Sequence, residues 1–91
     1  TFEKPNINLM DSINLSYYVL KKGGSYPLIF NTANEVAVSF FLKKKIKFLD
    51  ILKIIKKILS KSENYKINTI DDIYSIDKKI RILTSEYIKN K

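Results

Sequence analysis

The sequence predicts an all-α protein, a four-helix bundle that follows an extended N-terminal lead-in. Apolar residues recur at a spacing of three or four, and no stretch of useful length alternates apolar and polar residues as a half-buried strand does. The connections between the apolar segments are short, which favours antiparallel packing of consecutive helices. With 91 residues, the chain has the size of one small domain with a single core.

The lead-in is predicted over residues 1–10, which contain Pro5, because proline disfavours a helical conformation at the residue before it. Asp11 or Ser12 can then cap a first helix that runs to about Lys22. The inward side of this helix is predicted to consist of Ile13, Leu15, Tyr17, Tyr18 and Val19.

The second helix is predicted to be the central one. Gly23 and Gly24 suit the left-handed turn that closes the first helix, and Pro27 suits the first turn of a second helix that runs to about Lys44. Its apolar residues cover most of its circumference, which is typical of a helix surrounded by others. These residues are Leu28, Ile29, Phe30, Ala33, Val36, Ala37, Phe40, Phe41 and Leu42.

Polar residues interrupt this helix on one side and are the candidate functional residues. Asn31, Glu35 and Ser39 are spaced four apart, with Asn34 beside them, so we expect one solvent-exposed polar stripe along the helix. In one interpretation Asn34 and Glu35 satisfy each other and nearby backbone groups, as buried polar groups must. In the other, the stripe of Asn31, Asn34 and Glu35 faces another domain and holds it in register.

Two further amphipathic helices complete the prediction. Asp50 can cap a third helix, and Thr69 with Asp72 forms a capping box for a fourth, after a polar connection over residues 62–68. The inward residues of the third helix are Ile51, Ile54, Ile55, Ile58 and Leu59. Those of the fourth are Ile70, Ile73, Ile76, Ile80, Leu83, Tyr87 and Ile88.

The composition excludes several kinds of catalytic site. The sequence contains no cysteine and no histidine, which excludes disulfides, thiolate metal sites and nucleophiles activated by a histidine. Glu35 is the only carboxylate in an apolar context, and one carboxylate alone does not make a metal site. The two glycines lie between helices rather than after a strand, so they do not form a dinucleotide fingerprint. We therefore predict no catalytic, cofactor-binding or metal-ligating residue in this chain.

The net charge of +8 invites a nucleic-acid interpretation, but only Arg81 of the 17 basic residues is an arginine. No apolar stretch is long enough to span a membrane, and the third helix needs its apolar face for the core. We therefore expect neither nucleic acid nor a membrane as partner. Without such a stretch or a signal pattern at the N-terminus, we expect a soluble protein. Lys, Ile and Asn dominate, as in proteins of A/T-rich genomes, which suits a bacterial cytoplasm or a plastid-type organelle.

Four segments together resemble one known family. They are TFEKP at 1–5, GGSYPLIFNTANEVAVSFFL at 23–42, IKFLDI at 46–51 and TIDDIYSID at 69–77. In this order they resemble the C-terminal helical domain of 1-deoxy-D-xylulose 5-phosphate reductoisomerase, with ANEVAV and the following FL as the most specific part. Two departures concern packing: Thr32 replaces the usual alanine, and residues 10–15 lack the family's aromatic-Pro-Cys-Leu stretch.

The resemblance implies a homodimeric enzyme of the non-mevalonate isoprenoid pathway. It uses NADPH and a divalent metal, Mg or Mn, to convert 1-deoxy-D-xylulose 5-phosphate into 2-C-methyl-D-erythritol 4-phosphate. By this comparison residues 1–10 are a lead-in from a missing upstream domain, and residues 11–91 are the C-terminal bundle. The chain would be inactive alone, and Asn31, Asn34 and Glu35 would support its own catalytic domain. The alternative is a free-standing basic helical module that binds an acidic partner or nucleic acid.

Overall fold

The structure, a computed structural model, describes the backbone of residues 3–90 and the side chains of residues 11–90. It contains four helices and, within residues 3–90, no strand. The helices are α1 (Glu3–Lys22), α2 (Tyr26–Leu42), α3 (Phe48–Lys61) and α4 (Ile70–Lys89). The predicted all-α bundle is confirmed.

The start of α1 differs from the prediction. The helix begins at Glu3, so the extended lead-in is wrong for residues 3–10, and residues 1–2 lie outside the described part. Pro5 is the third residue of the helix, where a backbone N–H has no acceptor within the helix. The missing N–H of proline therefore costs no hydrogen bond there, and the ring is tolerated in the first turn.

The turn between α1 and α2 follows the prediction. Gly23 and Gly24 both have positive φ, at 65° and 58°, and the Gly23 N–H donates to the Val19 oxygen at 3.0 Å. This left-handed pair reverses the chain. Pro27 then occupies the first turn of α2.

Helix α2 lies at the centre, as predicted. It packs most extensively against α3 and α4 and less extensively against α1. Its buried residues are Ile29, Thr32, Ala33, Val36 and Ala37. The helix ends at Leu42, two residues before the predicted end, because Lys44 adopts a positive φ of 61°. The Lys45 N–H then donates to the Phe40 oxygen at 2.9 Å, as in a Schellman ending. Leu42, predicted to point inward, is exposed.

Helix α4 starts with the predicted cap, whereas α3 starts two residues before Asp50, with Lys47 rather than Asp50 at the N-cap position. Asp50 lies inside the first turn of α3 and accepts from the Lys47 N–H at 3.0 Å. The Thr69 hydroxyl accepts from the Asp72 N–H at 3.1 Å, and the Asp72 carboxylate accepts from the Thr69 N–H at 3.0 Å. Both pairs satisfy amides that have no helical acceptor.

One core joins the four helices. It consists of Val19, Ile29, Ala33, Val36, Ala37, Ile54, Ile55, Ile58, Leu59, Ile80 and Ile88. The predicted inward faces are confirmed at these positions, and besides Leu42 five of the other predicted residues are instead exposed. The exposed ones are Ile13, Tyr17, Tyr18, Ile70 and Ile73. They lie at one turn of α4 and along α1, where α2 covers only one side of each helix.

Candidate functional site

The polar stripe of α2 has the predicted exposure. Asn31, Glu35 and Ser39 are exposed, whereas Asn34 is half-buried on the adjoining side of the helix. A spacing of four residues places the first three above one another. The stripe is therefore exposed to solvent along Asn31, Glu35 and Ser39.

A chain of polar contacts connects this stripe to α4. Arg81 donates from Nη2 to Glu35 Oε1 at 2.8 Å and from Nε to Asp77 Oδ2 at 2.8 Å. The other oxygen of Asp77, Oδ1, accepts from the Thr32 hydroxyl at 2.8 Å. Thr32 of α2 contacts Asp77 of α4. The next contact, between Glu35 and Arg81, lies three residues further along α2 and four residues further along α4, so the two helices run parallel.

Glu35 is thus satisfied by Arg81 rather than by Asn34. No hydrogen bond joins Asn34 to Glu35 within residues 11–90, which corrects the first interpretation of this pair. The side chains of Arg81 and Glu35 are 45% and 55% exposed. At that exposure an ion pair contributes about 0.2–1 kcal/mol. The contact sets the register of α2 against α4 more than it sets the total stability.

The charges in this network favour one another. The hydrogen bond from Arg81 holds the pKa of Asp77 below its ordinary value, and the bond from Thr32 acts in the same direction. Both carboxylates together raise the pKa of the Arg81 guanidinium, with Asp77 as the larger cause. Asp77 stays a carboxylate and Arg81 stays a cation near neutral pH, so neither is poised for proton transfer there.

Thr32 is a residue whose role the sequence did not reveal. It is 1% exposed, in an apolar stretch of α2, so its hydroxyl needs a partner inside the protein. Asp77 provides that partner across 45 positions of sequence. A polar residue on the buried side of a helix indicates that a hydrogen-bond partner exists, but the sequence pattern does not identify which residue accepts from the Thr32 hydroxyl.

Asn34 faces a different part of the molecule. It lines a cleft of about 420 Å³ between α1, α2 and α3, and we call this space the apolar cleft. The other lining residues are Ser12, Ser16, Phe30, Val38, Phe48, Leu49, Ile51, Leu52 and Ile55. The structure therefore separates the three predicted site residues: Glu35 contacts α4, Asn34 lines the cleft, and Asn31 is exposed on the stripe.

A second polar cluster fixes the connection between α3 and α4. Ser25 is fully buried, its N–H donates to Asn64 Oδ1 at 2.9 Å, and its hydroxyl accepts from the Tyr65 N–H at 2.8 Å. A Cβ added at Gly24 would meet the Asn64 side chain and lie 2.9 Å from the Tyr65 oxygen. This close approach explains why a glycine occupies position 24.

The described residues do not fit a metal ion or a dinucleotide. Within residues 11–90, no group of three or more carboxylate, histidine or cysteine side chains lies close enough together to hold a metal ion. The space beside Gly24 is filled by Asn64 and Tyr65 rather than open to a phosphate. In the part of the chain that the structure describes, no helix is both long and apolar enough to cross a membrane.

Comparisons with known proteins identify close relatives. The family model described as the DXP reductoisomerase C-terminal domain matches residues 1–83. A 1-deoxy-D-xylulose 5-phosphate reductoisomerase of Clostridium novyi (strain NT) is 42% identical over 91 residues, which is 100% of this chain and 23% of that protein. The enzyme of the same name from Thermoanaerobacter pseudethanolicus is 42% identical over 81 residues, 89% of this chain and 21% of the relative.

A solved structure supports the same relationship. The 1-deoxy-D-xylulose 5-phosphate reductoisomerase from Zymomonas mobilis, in complex with NADPH, superposes with a TM-score of 0.82 at 37% sequence identity. The match covers 86% of this chain and 21% of that structure. The present chain thus spans less than a quarter of the length of each of these relatives.

Proposed function

Because the chain belongs to the family of DXP reductoisomerase C-terminal domains, we propose that it forms the carboxyl-terminal part of a working reductoisomerase. That enzyme would convert 1-deoxy-D-xylulose 5-phosphate into 2-C-methyl-D-erythritol 4-phosphate in isoprenoid biosynthesis. The observation that carries the proposal is the identity of 42% over all 91 residues, together with the TM-score of 0.82.

The reaction would require NADPH and a divalent metal ion, Mg or Mn. The NADPH complex of the Zymomonas mobilis relative supports the first of these. Since residues 11–90 contain no cluster suited to a metal ion, the metal would be held by the upstream part of the protein. NADPH supplies a hydride when it is bound there, and this domain supplies no reacting group.

The role of these 91 residues would be mechanical. Contacts of Arg81 with Glu35 and Asp77 fix α2 against α4, and Ser25 fixes the α1–α2 turn against Asn64. Such rigid support keeps neighbouring segments of a catalytic domain in register. The partner is therefore the protein's own catalytic domain, within a homodimeric enzyme.

The alternative function, a free-standing basic module, gains no support from the comparisons. The relatives described above are all reductoisomerases, and none is named for nucleic-acid binding. The single arginine of the chain is engaged by two carboxylates of the same domain. We expect neither nucleic acid nor a membrane among the partners.

The test uses the full-length protein that contains this chain. The wild type should consume NADPH in the presence of 1-deoxy-D-xylulose 5-phosphate and a divalent metal ion. The variants Asn34→Ala and Glu35→Gln should lower the turnover or the melting temperature without abolishing metal binding. A double variant with unchanged kinetics and unchanged melting would contradict the supporting role of these residues, and a wild type without activity would contradict the function.

A further inference from the structure

The apolar cleft lies at one particular end of the bundle. At the opposite end the last turns of α1 and α3 meet the start of α2, where Tyr18, Tyr26 and Leu59 line a common small pocket. The cleft instead joins Ser12 of α1, Val38 of α2 and the first turn of α3. It therefore lies at the end of the bundle where α3 begins, opposite the turn between α1 and α2.

Large apolar side chains at the rim of the cleft are exposed to solvent. Phe48 is 66% exposed and Leu49 is 55% exposed, and both line it. Leu42, just before the loop that leads to them, is 72% exposed. Soluble monomers rarely leave such residues together in water, and a contiguous patch of this kind marks an interaction surface.

The same end of the bundle carries a lysine-rich loop. The connection between α2 and α3 carries Lys43, Lys44, Lys45 and Lys47, all of them exposed. Lys47 directly precedes the rim residue Phe48. A partner that fits both features has an apolar centre flanked by aspartate or glutamate.

We propose that the apolar cleft binds a segment of the upstream part of the same polypeptide, with apolar side chains at its centre and acidic residues at its edges. This rests on the proposed function, because the relatives carry more than three quarters of their length outside the matched region. The docked segment would cover Phe48 and Leu49 and would bring its polar groups to Asn34.

Two other occupants fit less well. A second copy of this chain would place the same lysine-rich loop against itself across a two-fold axis, and like charges would repel. A small polar ligand would find few polar side chains, since Asn34, Ser12 and Ser16 are the polar members of a lining that is otherwise apolar. The upstream segment satisfies both the apolar lining and the charge.

Cysteine labelling of the full-length protein tests the proposal. The 91 residues contain no cysteine, so Leu49→Cys and Ile82→Cys each add one new thiol, and labelling of the parent protein gives the background to subtract. The two positions match well, because Leu49 is 55% and Ile82 is 50% exposed in this domain, and Ile82 is on α4, away from the cleft. Phe48→Cys serves as a second cleft variant if Leu49→Cys does not fold.

The expected result is labelling at position 49 by a maleimide at least about tenfold slower than at position 82, with equal rates after unfolding in urea. Equal rates in the folded protein would overturn the proposal, even in an enzyme with normal turnover of NADPH. Protection that disappears on about a hundredfold dilution would assign the cleft to a second copy and overturn it as well. An inactive parent enzyme with a protected position 49 would overturn the proposed function and leave the docking intact.

Discussion

At the residue scale, the polar contacts between α2 and α4 depend on Arg81. Its guanidinium reaches Glu35 on one helix and Asp77 on its own, and Asp77 in turn accepts from the buried Thr32. A lysine could not reproduce this, because its ammonium lacks the planar fork that serves two carboxylates at once. The network thus combines a half-exposed ion pair with the partner that a buried hydroxyl requires.

The pH dependence of stability follows from this network. Since Arg81 lowers the pKa of Asp77 in the folded state, the folded protein binds fewer protons there than the unfolded chain. The stabilisation is present above the ordinary carboxyl pKa and is lost as the pH falls through the lower folded value. Urea unfolding between about pH 2.5 and 6 should show a weaker pH dependence for Asp77→Asn than for the wild type.

The control for that experiment is Asp71→Asn, which removes an exposed carboxylate from the first turn of the same helix. It should change the pH dependence less than Asp77→Asn does. Identical curves for Asp77→Asn and the wild type would show that the contact with Arg81 does not bias folding.

The two glycines give a matched pair of substitutions. Both have positive φ, so Gly23→Ala should cost about 1–2 kcal/mol of unfolding free energy from backbone strain alone. At Gly24 the added Cβ also meets Asn64 and the Tyr65 oxygen, which disrupts the hydrogen bonds to buried Ser25 and adds about 1–3 kcal/mol. Chemical denaturation measures both variants. Equal losses for the two variants would contradict the close approach at Gly24.

At this scale the sequence predicted the local contacts and missed the distant ones. The Thr69–Asp72 capping box is local, so the pattern identifies it. Thr32 with Asp77 and Ser25 with Asn64 are 45 and 39 residues apart, and periodicity carries no information about such pairs. For that reason the partner of Glu35 was also predicted wrongly.

At the scale of elements, the enclosure of α2 determines the fold. Its small residues Ala33 and Ala37 are completely buried four positions apart, which leaves a smooth strip for a neighbouring helix. Apolar coverage of most of its surface predicted this central position correctly. The start of α1 was predicted wrongly because Pro5 was interpreted as excluding a helix, whereas in a first turn it is compatible with one.

A larger side chain on this strip should separate the helices. Ala33→Leu introduces three heavy atoms at a position with no exposed surface, and overpacking of this kind costs about 1–3 kcal/mol. On the wet side of the same helix, Asn31→Leu should stay within about 0.5 kcal/mol of the wild type. Urea denaturation followed by helical circular dichroism compares the two variants. If Ala33→Leu were as stable as Asn31→Leu, α2 would not be tightly enclosed on that side.

At the scale of the whole molecule, the domain combines a well-packed core with an apolar rim that residues 11–90 leave exposed. A bundle of this size contributes a few kcal/mol of stability, and the proposed docking to a larger domain would add to it. The sequence predicted the bundle and its family, because both depend on the helical pattern and on the ANEVAV segment. The cleft was not predicted, because it depends on how far α1, α2 and α3 separate at one end.

The central claim is that these 91 residues serve as the carboxyl-terminal support of a reductoisomerase, and a chimera tests it most directly. The matching 23% of the Clostridium novyi enzyme is replaced by this chain, and NADPH consumption with 1-deoxy-D-xylulose 5-phosphate is measured. We predict a folded chimera with turnover within about tenfold of the parent enzyme, a loss below about 1.4 kcal/mol in transition-state stabilisation. A chimera that folds, binds NADPH and has no activity would contradict the claim.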